Sequence, residues 1–314
     1  MLTDVVGVRV GHWSDPDAAT GCTAIIPPPG TVGAVDVRGG GPGTRETDVL
    51  GPLAGAWEVS ALMLAGGSAH GLSTASGAMR WCEENGIGLD VGVARVPIVP
   101  AAIIFDLGVA TRRPGADEGY AACAAAADGP HAVGSVGAGT GATVGKLLGR
   151  DGWCKGGVGA ASVVTLDGVT VAALAVVNAF GDVVDERGEV IAGAWQAGCG
   201  FVRAWEYALT HPPVHPRLAA RASTTLVCVA TDGRLTKAEA THVARMAHAG
   251  VCRAVSPVHT PFDGDVVFCL ATGARPAAVT TAGIAAAEVS ARAIRHAVRC
   301  ATSVAGVPTG AERG

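Results

Sequence analysis

The chain has 314 residues, 49% of them hydrophobic and only 16% charged, with 46 glycines and a formal net charge of −4. That balance excludes a disordered chain and predicts a large buried core, while a net negative charge and the absence of any Lys/Arg run argue against nucleic acid as a partner. Nine scattered cysteines without a C-x-x-C pair argue against a disulfide framework or zinc cage and read as reduced, mostly buried thiols.

In chain order, Met1-Leu2-Thr3-Asp4 has no basic segment followed by an apolar stretch, so no signal peptide is expected and the protein is placed in the cytoplasm. Val5 to Val10, Thr23 to Ile26 and Ala34 to Val37 have the composition of strands. Gly66-Gly67-Ser68-Ala69-His70 resembles a serine elbow, but His70 stands where the second glycine of G-x-S-x-G belongs. The segment reads instead as a tight turn into a helix over Ser68 to Asn85. Gly137-Ala138-Gly139-Thr140-Gly141 lacks the third glycine of a dinucleotide fingerprint. Gly145-Lys146 ends like a phosphate loop, yet Thr140 replaces its first glycine and Leu147 its magnesium-binding Ser or Thr. Neither nucleotide motif is complete.

Further strands are expected at Ser162 to Leu166, Val169 to Val177, Thr225 to Ala230 and Val266 to Ala271. None of these apolar runs is long enough to span a membrane, and no membrane partner is expected. Thr236-Lys237-Ala238-Glu239 is a capping box opening a helix over Lys237 to Ala249, and Ala277 to Val304 reads as a long alanine-rich helix. Helices apolar nearly all round need cover on more than one side. The pattern predicts a layered α/β sandwich forming one domain over 1–314, with a linker-like break only at His211 to Pro216. With little charge for its outer faces, it is expected to form a homo-oligomer, a dimer or tetramer.

Chemistry concentrates at a few polar positions in apolar surroundings. Ser223-Thr224-Thr225 opens a strand just after the Pro/His-rich loop, and reads as a masked N-terminal nucleophile. Once the preceding peptide bond is cut, the α-amine of a threonine can serve as base for its own hydroxyl, since such an amine titrates near ~7.7–8. Thr-Thr at the start of a β-branched strand is also ordinary strand composition. Asn178, at the end of another apolar strand, carries an amide able to donate to an oxyanion, or is a turn residue before Gly181. Asp263-Gly264-Asp265 sets two carboxylates about a glycine, suited to orienting an amine or shifting one another's pKa, or forms a hairpin turn. Lys146 follows the glycine-rich segment and is otherwise a surface charge.

Together these positions resemble the DmpA-type family of self-processing aminopeptidases (L-aminopeptidase/D-esterases) and its nylon-oligomer hydrolase relatives. The resemblance spans nearly the whole chain. It is carried by Asp36-Val37-Arg38-Gly39-Gly40, Gly43-Thr44-Arg45-Glu46-Thr47-Asp48, Leu64-Ala65-Gly66-Gly67-Ser68-Ala69-His70-Gly71-Leu72 and Val96-Pro97-Ile98-Val99-Pro100. Gly134 to Gly141, Lys155-Gly156-Gly157-Val158-Gly159, Ala175-Val176-Val177-Asn178-Ala179, Val229-Ala230-Thr231-Asp232 and His259 to Asp265 continue it in order.

The resemblance implies a four-layer α/β/β/α sandwich of the DmpA and ornithine acetyltransferase type, N-terminal-nucleophile-like. It also implies a precursor cut at Ser223–Thr224 into residues 1–223 and 224–314. Thr224 would be the nucleophile, Asn178 the oxyanion donor and Lys146 the match to the lysine of the nylon-oligomer subgroup. Asp263 and Asp265 would hold the amine and hydroxyl of Thr224. No metal or organic cofactor is required. Ala102, Ile103, Phe105 and Gly139 are the expected substrate-pocket residues, and the substrate a small-molecule amide, peptide or ester. Ser223 departs from the Asn or Gly common before the nucleophile in relatives. Ala101-Ala102-Ile103-Ile104-Phe105-Asp106 lacks the acidic residue that β-aminopeptidases place near the substrate amine. That favours an apolar acyl portion over strict recognition of a free amino terminus. An acyltransferase using the same acyl-enzyme, or an unprocessed non-catalytic binding homologue, are the alternatives.

Overall fold

The computed structural model describes residues 1–55, 58–211 and 223–314. Ten strands make its two main sheets: β1 (Arg9–Asp15), β2 (Thr20–Ile26), β3 (Val32–Val37), β4 (Thr44–Arg45), β5 (Leu62–Ala65), β6 (Ala101–Ile103), β7 (Gly157–Val164), β8 (Thr170–Asn178), β9 (Thr224–Arg234) and β10 (Val266–Pro276). The first sheet has the order β1-β2-β5-β6-β4 and the second β7-β8-β9-β10-β3. Four helices pack on them: α1 (Thr74–Glu84), α2 (Ala116–Ala124), α3 (Lys237–Ala254) and α4 (Val279–Arg299).

Successive strand residues face opposite sides of a sheet, and both faces of each sheet are apolar here. Leu174, Val176, Leu226, Cys228, Val266 and Phe268 of the second sheet meet Ile25, Leu62, Leu64 and Ala102 of the first in a shared core. The alternate residues Ala173, Ala175, Val227, Val229, Val267 and Cys269 pack beneath α3 and α4, against Val243, Ala247, Val289 and Ala293. On the far side of the first sheet, Cys22, Ala24, Met63 and Ile103 pack against Ala75, Ala78, Trp81 and Cys123 of α1 and α2. Double-sided burial explains why these strands read as continuous apolar runs. Phe268→Ala in the inter-sheet core would cost ~3–5 kcal/mol.

Helix α3 opens on the expected capping box: Thr236 Oγ1 accepts from Glu239 N (3.3 Å) and Thr236 N donates to the Glu239 carboxylate (2.8 Å). It runs through Gly250 to Ala254, beyond the expected end, because that glycine is a contact point. A Cβ there would lie 1.9 Å from the Ala287 carbonyl oxygen of α4. Helix α4 is shorter at both ends than the expected Ala277 to Val304 span, and residues 68–73 form a 3-10 segment before α1. The strand expected at Val5 to Val10 begins only at Arg9. Gly7 turns the chain with φ +86°, so Val5 and Val8 plug the inter-sheet core from a turn. The strand expected at Ser162 starts earlier, at Gly157. The sequence pattern gives no expectation of strands β4, β5 and β6 or of helix α2. Residues 212–216 of the expected exposed loop lie outside the described residues.

Candidate active site

Strand direction gathers the polar residues at one edge of the second sheet. β8 and β9 are antiparallel, so the last residue of β8 pairs with the first of β9: Asn178 with Thr224. β9 and β10 are parallel, their crossover made by α3, so the segment leading into β10 arrives at the same edge. β3 runs antiparallel to β10 and delivers the 38–41 loop there too. Asp263-Gly264-Asp265 is therefore no hairpin turn. A bridge between Ser223 and Asp263, followed by the Leu226–Val266 pair, lays it parallel to Ser223-Thr224-Thr225.

That register puts the glycine beside the candidate nucleophile. A Cβ at Gly264 would meet Thr224 Oγ1 at 3.0 Å and the Gly41 carbonyl oxygen at 2.6 Å. Gly264 N donates to the Ser223 carbonyl oxygen at 2.9 Å. Thr224 Oγ1 lies 2.5 Å from the same oxygen, so the bond before Thr224 has a polarising donor and a hydroxyl at its carbonyl. Gly39, at φ +94°, lies against the Asp263 backbone, where a Cβ would come within 2.4 Å of the carbonyl oxygen; Gly41 N donates to that oxygen at 2.9 Å.

Asn178 is fully buried. Its Oδ1 accepts from Thr143 N at 3.0 Å, which orients the amide so that Nδ2 donates to the Phe105 carbonyl oxygen at 3.2 Å. Lys146 is likewise buried, contrary to the surface alternative, and its Nζ donates to the Asn178 carbonyl oxygen at 3.0 Å. Burial pulls its pKa down to about 7, against the opposing pull of Asp263 and Asp106 and with help from the nearby Lys155 charge. A lysine of that pKa can exchange a proton near neutrality.

The two carboxylates do different work. Asp263 Oδ2 accepts from Thr260 N (2.9 Å) and Thr260 Oγ1 (2.6 Å), and Oδ1 from Phe180 N (3.3 Å). Burial, then the Asp265 charge, raises its pKa to about 6 despite these bonds. Asp265 Oδ1 accepts from Thr225 N at 2.6 Å, and Oδ2 from His259 Nδ1 at 2.7 Å. Of the two, only Asp265 holds the backbone around Thr224, through the amide of the following residue; Asp263 is bound to Thr260 and Phe180 instead, and the Thr224 hydroxyl, expected against these carboxylates, lies on the Ser223 carbonyl oxygen.

A cleft of about 310 Å³ opens at this edge, lined by residues 40–43, Ser68, Ala69, Ile103, Phe105 and Thr224. No charged side chain is among them. Ile103 and Phe105 of the expected pocket line it. Ala102 does not, because strand alternation turns it into the inter-sheet core, and Gly139 lies elsewhere, its carbonyl accepting from Lys155 Nζ at 3.2 Å.

Three residues near the site went unassigned in the sequence. Lys155, 1% exposed, donates to the carbonyls of Gly139 and Ala142 (2.6 Å to the latter), and burial lowers its pKa to about 7. Asp106 accepts from Thr20 Oγ1 (2.6 Å) and Gly67 N (2.7 Å). Burial raises its pKa. His259 is bound to Asp265. All three lie in or beside quoted blocks, where only the charged letters in apolar contexts marked them.

The profile of peptidase family S58 matches residues 1–311. An uncharacterized aminopeptidase of Mycobacterium tuberculosis (strain H37Rv) is 48% identical over 98% of this chain and 96% of its own length. A 6-aminohexanoate-oligomer endohydrolase of Paenarthrobacter ureafaciens is 30% identical over 86% of this chain and 74% of its own. Among solved structures, a β-aminopeptidase of Burkholderia sp. superposes with a TM-score of 0.73 at 24% identity, covering 98% of this chain and 90% of that one. The L-aminopeptidase D-Ala-esterase/amidase of Ochrobactrum anthropi, described as a variant among the Ntn hydrolase fold, gives 0.69 at 21% identity over 96% and 86%. The chain has that fold, and by the match over almost its full length it belongs to peptidase family S58.

Proposed function

We propose that this chain is a self-activating amide hydrolase whose nucleophile is the Thr224 hydroxyl. The observation that carries the reading is the placement of Thr224 Oγ1 and Gly264 N on the carbonyl oxygen of Ser223, where Thr224 lines a cleft. In the first phase Thr224 Oγ1 attacks the Ser223 carbonyl carbon, giving its proton to Lys146. The C–N bond then breaks, its nitrogen takes a proton and becomes the Thr224 α-amine, and an ester links the two halves. Water hydrolyses that ester, leaving a carboxylate on residues 1–223 and a free hydroxyl and amine at the head of residues 224–314. Lys146 supplies the base that the chain lacks until its α-amine is free.

In the second phase the same hydroxyl, with the α-amine as base, attacks a substrate amide, and water resolves the acyl-enzyme. Asn178 Nδ2 stabilises the oxyanion, a contribution of ~2.7–4 kcal/mol for one such donor. A cleft without a charged lining side chain suits an interior amide with an uncharged aliphatic acyl portion, as in the oligomers named for the Paenarthrobacter relative. The succession of α1/α2, first sheet, second sheet and α3/α4 supports a four-layer α/β/β/α sandwich. Nine free thiols support a reducing cytoplasm. An exposed apolar groove between α3 and α4, with Ile284 62% exposed, supports a homo-oligomer.

The alternative is transfer of the acyl group to an amine. Incubation with an acyl donor with and without added amine separates the two, acyl-amine product over free acid favouring transfer. Denaturing electrophoresis with intact mass tests the main reading: two fragments are expected, the smaller beginning at Thr224. A single intact chain in an active preparation overturns it.

A further inference from the structure

We propose that His259 is a positioning residue of the Thr224 site, clamping the Asp265 carboxylate so that it holds the Thr225 amide and fixes the head of β9 against Asn178. The inference rests on the reading of Thr224 as nucleophile. Asp265 Oδ2 receives two donors from His259, the ring Nδ1 at 2.7 Å and the backbone N at 3.2 Å, while Oδ1 receives Thr225 N at 2.6 Å. The β9–β10 ladder starts only at Leu226–Val266. The carboxylate therefore does for Thr225 what a ladder carbonyl does for later residues, and Thr224 is the next residue outward.

His259 is itself held. Its backbone is left-handed, φ +54°, a conformation that favours Gly, Asn, Asp and His. The buried ring of His248 stands edge-on to it with centroids 4.9 Å apart, and His248 Nε2 faces the Asp36 carbonyl oxygen at 3.1 Å. Burial pulls the His248 pKa down to about 4, so two adjacent imidazoles do not carry like charge at neutral pH. Burial also pulls on His259, but its hydrogen bond to Asp265, with the Cys252 thiol and the Asp265 charge, pushes its pKa up to about 9. Whatever the charge of the ring, whose Nε2 is buried without a hydrogen-bond partner among the described residues, its Nδ1 is the nitrogen that donates to the carboxylate, the stronger class of hydrogen bond.

The test compares His259→Ala, His259→Asn, Asp265→Asn and the His259→Ala/Asp265→Asn double variant. Readouts are self-cleavage of freshly synthesised chain and kcat and KM on a 6-aminohexanoate oligomer. His259→Ala should slow both reactions ~100-fold, the scale of a catalytic group displaced by about an ångström, with KM changed less than ~3-fold. Asn accepts the left-handed backbone and keeps a side-chain N–H near the Nδ1 position, so His259→Asn should recover most of the loss. The double variant should be no slower than Asp265→Asn, because the two act as one unit. Wild-type rates in His259→Ala, no rescue by Asn, or additive losses would overturn the clamp.

Hydrogen exchange at the Thr225 amide, measured in uncut Thr224→Ala protein, separates the two readings. Protection that falls with His259→Ala supports the clamp whatever the nucleophile, and unchanged protection refutes it. If Thr224→Ala itself cuts and turns over normally, the nucleophile reading falls, and with it the catalytic role given to His259.

Discussion

Asn178 and Thr224 are register partners across two antiparallel strands, one ending and the other beginning at the same sheet edge. The side chain assigned to the oxyanion is thus set by backbone pairing, with Thr143 N and the Phe105 carbonyl fixing its rotation. Asn178→Ala should lower kcat by ~10²–10³, the usual loss for one oxyanion donor, with KM little changed. Steady-state kinetics on processed enzyme check this. A KM effect with kcat intact would move Asn178 to ground-state binding.

Thr224→Ala should leave one uncut, inactive chain, and Thr224→Ser should still cut and turn over, since serine retains the attacking oxygen. Intact mass is the readout. Fragments of unchanged size in Thr224→Ala would point to another nucleophile.

The candidate site residues were legible where a polar side chain interrupts an apolar strand, as at Asn178 and Thr224. Asp263-Gly264-Asp265 was legible as a motif but not as a shape. D-G is a hairpin signal, and only the pairing of β9 with β10 across a helical crossover turns it into a strand extension with its glycine facing Thr224. The same limit applies to Ala102: its face follows from the parity of β6, which a three-residue strand does not display. Lys155 was missed because its partners, two backbone carbonyls, are set by the fold; His259 was missed because the left-handed turn that folds its ring back onto Asp265, six residues on, leaves no periodic signal.

If Lys146 is the base of the proposed self-cleavage, that reaction carries a pH signature. Its pKa is lowered to about 7, so it is neutral and able to accept the Thr224 proton above that pH and protonated below it. First-turnover cleavage of the uncut chain should rise tenfold per unit below about pH 7 and level off above it. In Lys146→Met the rate should fall at least ~10²-fold, at the scale of a lost general base, and lose that acid limb. A pulse-chase at stepped pH reads this out. An unaltered limb in Lys146→Met would assign the proton to another group.

Lys155 predicts an opposite kind of pH effect, on stability. Its folded pKa is about 7 against an ordinary value of 10.5, so between those values the unfolded chain binds more protons than the folded one, and stability rises with pH across that window. His259 opposes it, since a pKa raised from 6.5 to about 9 gives stability that is complete below 6.5 and lost as pH climbs through about 9. The Lys155 share therefore has to be read as a difference. In the uncut Thr224→Ala background, urea unfolding at pH 7 and pH 9 should show Lys155→Met losing ~1–3 kcal/mol of alkaline gain relative to the parent, given ~1.4 kcal/mol per pKa unit. At either pH the variant also leaves the Gly139 and Ala142 carbonyls without their buried donor, a cost of ~1–3 kcal/mol each. Equal pH slopes in parent and variant would mean that the Lys155 ammonium stays charged in the folded protein up to pH 9.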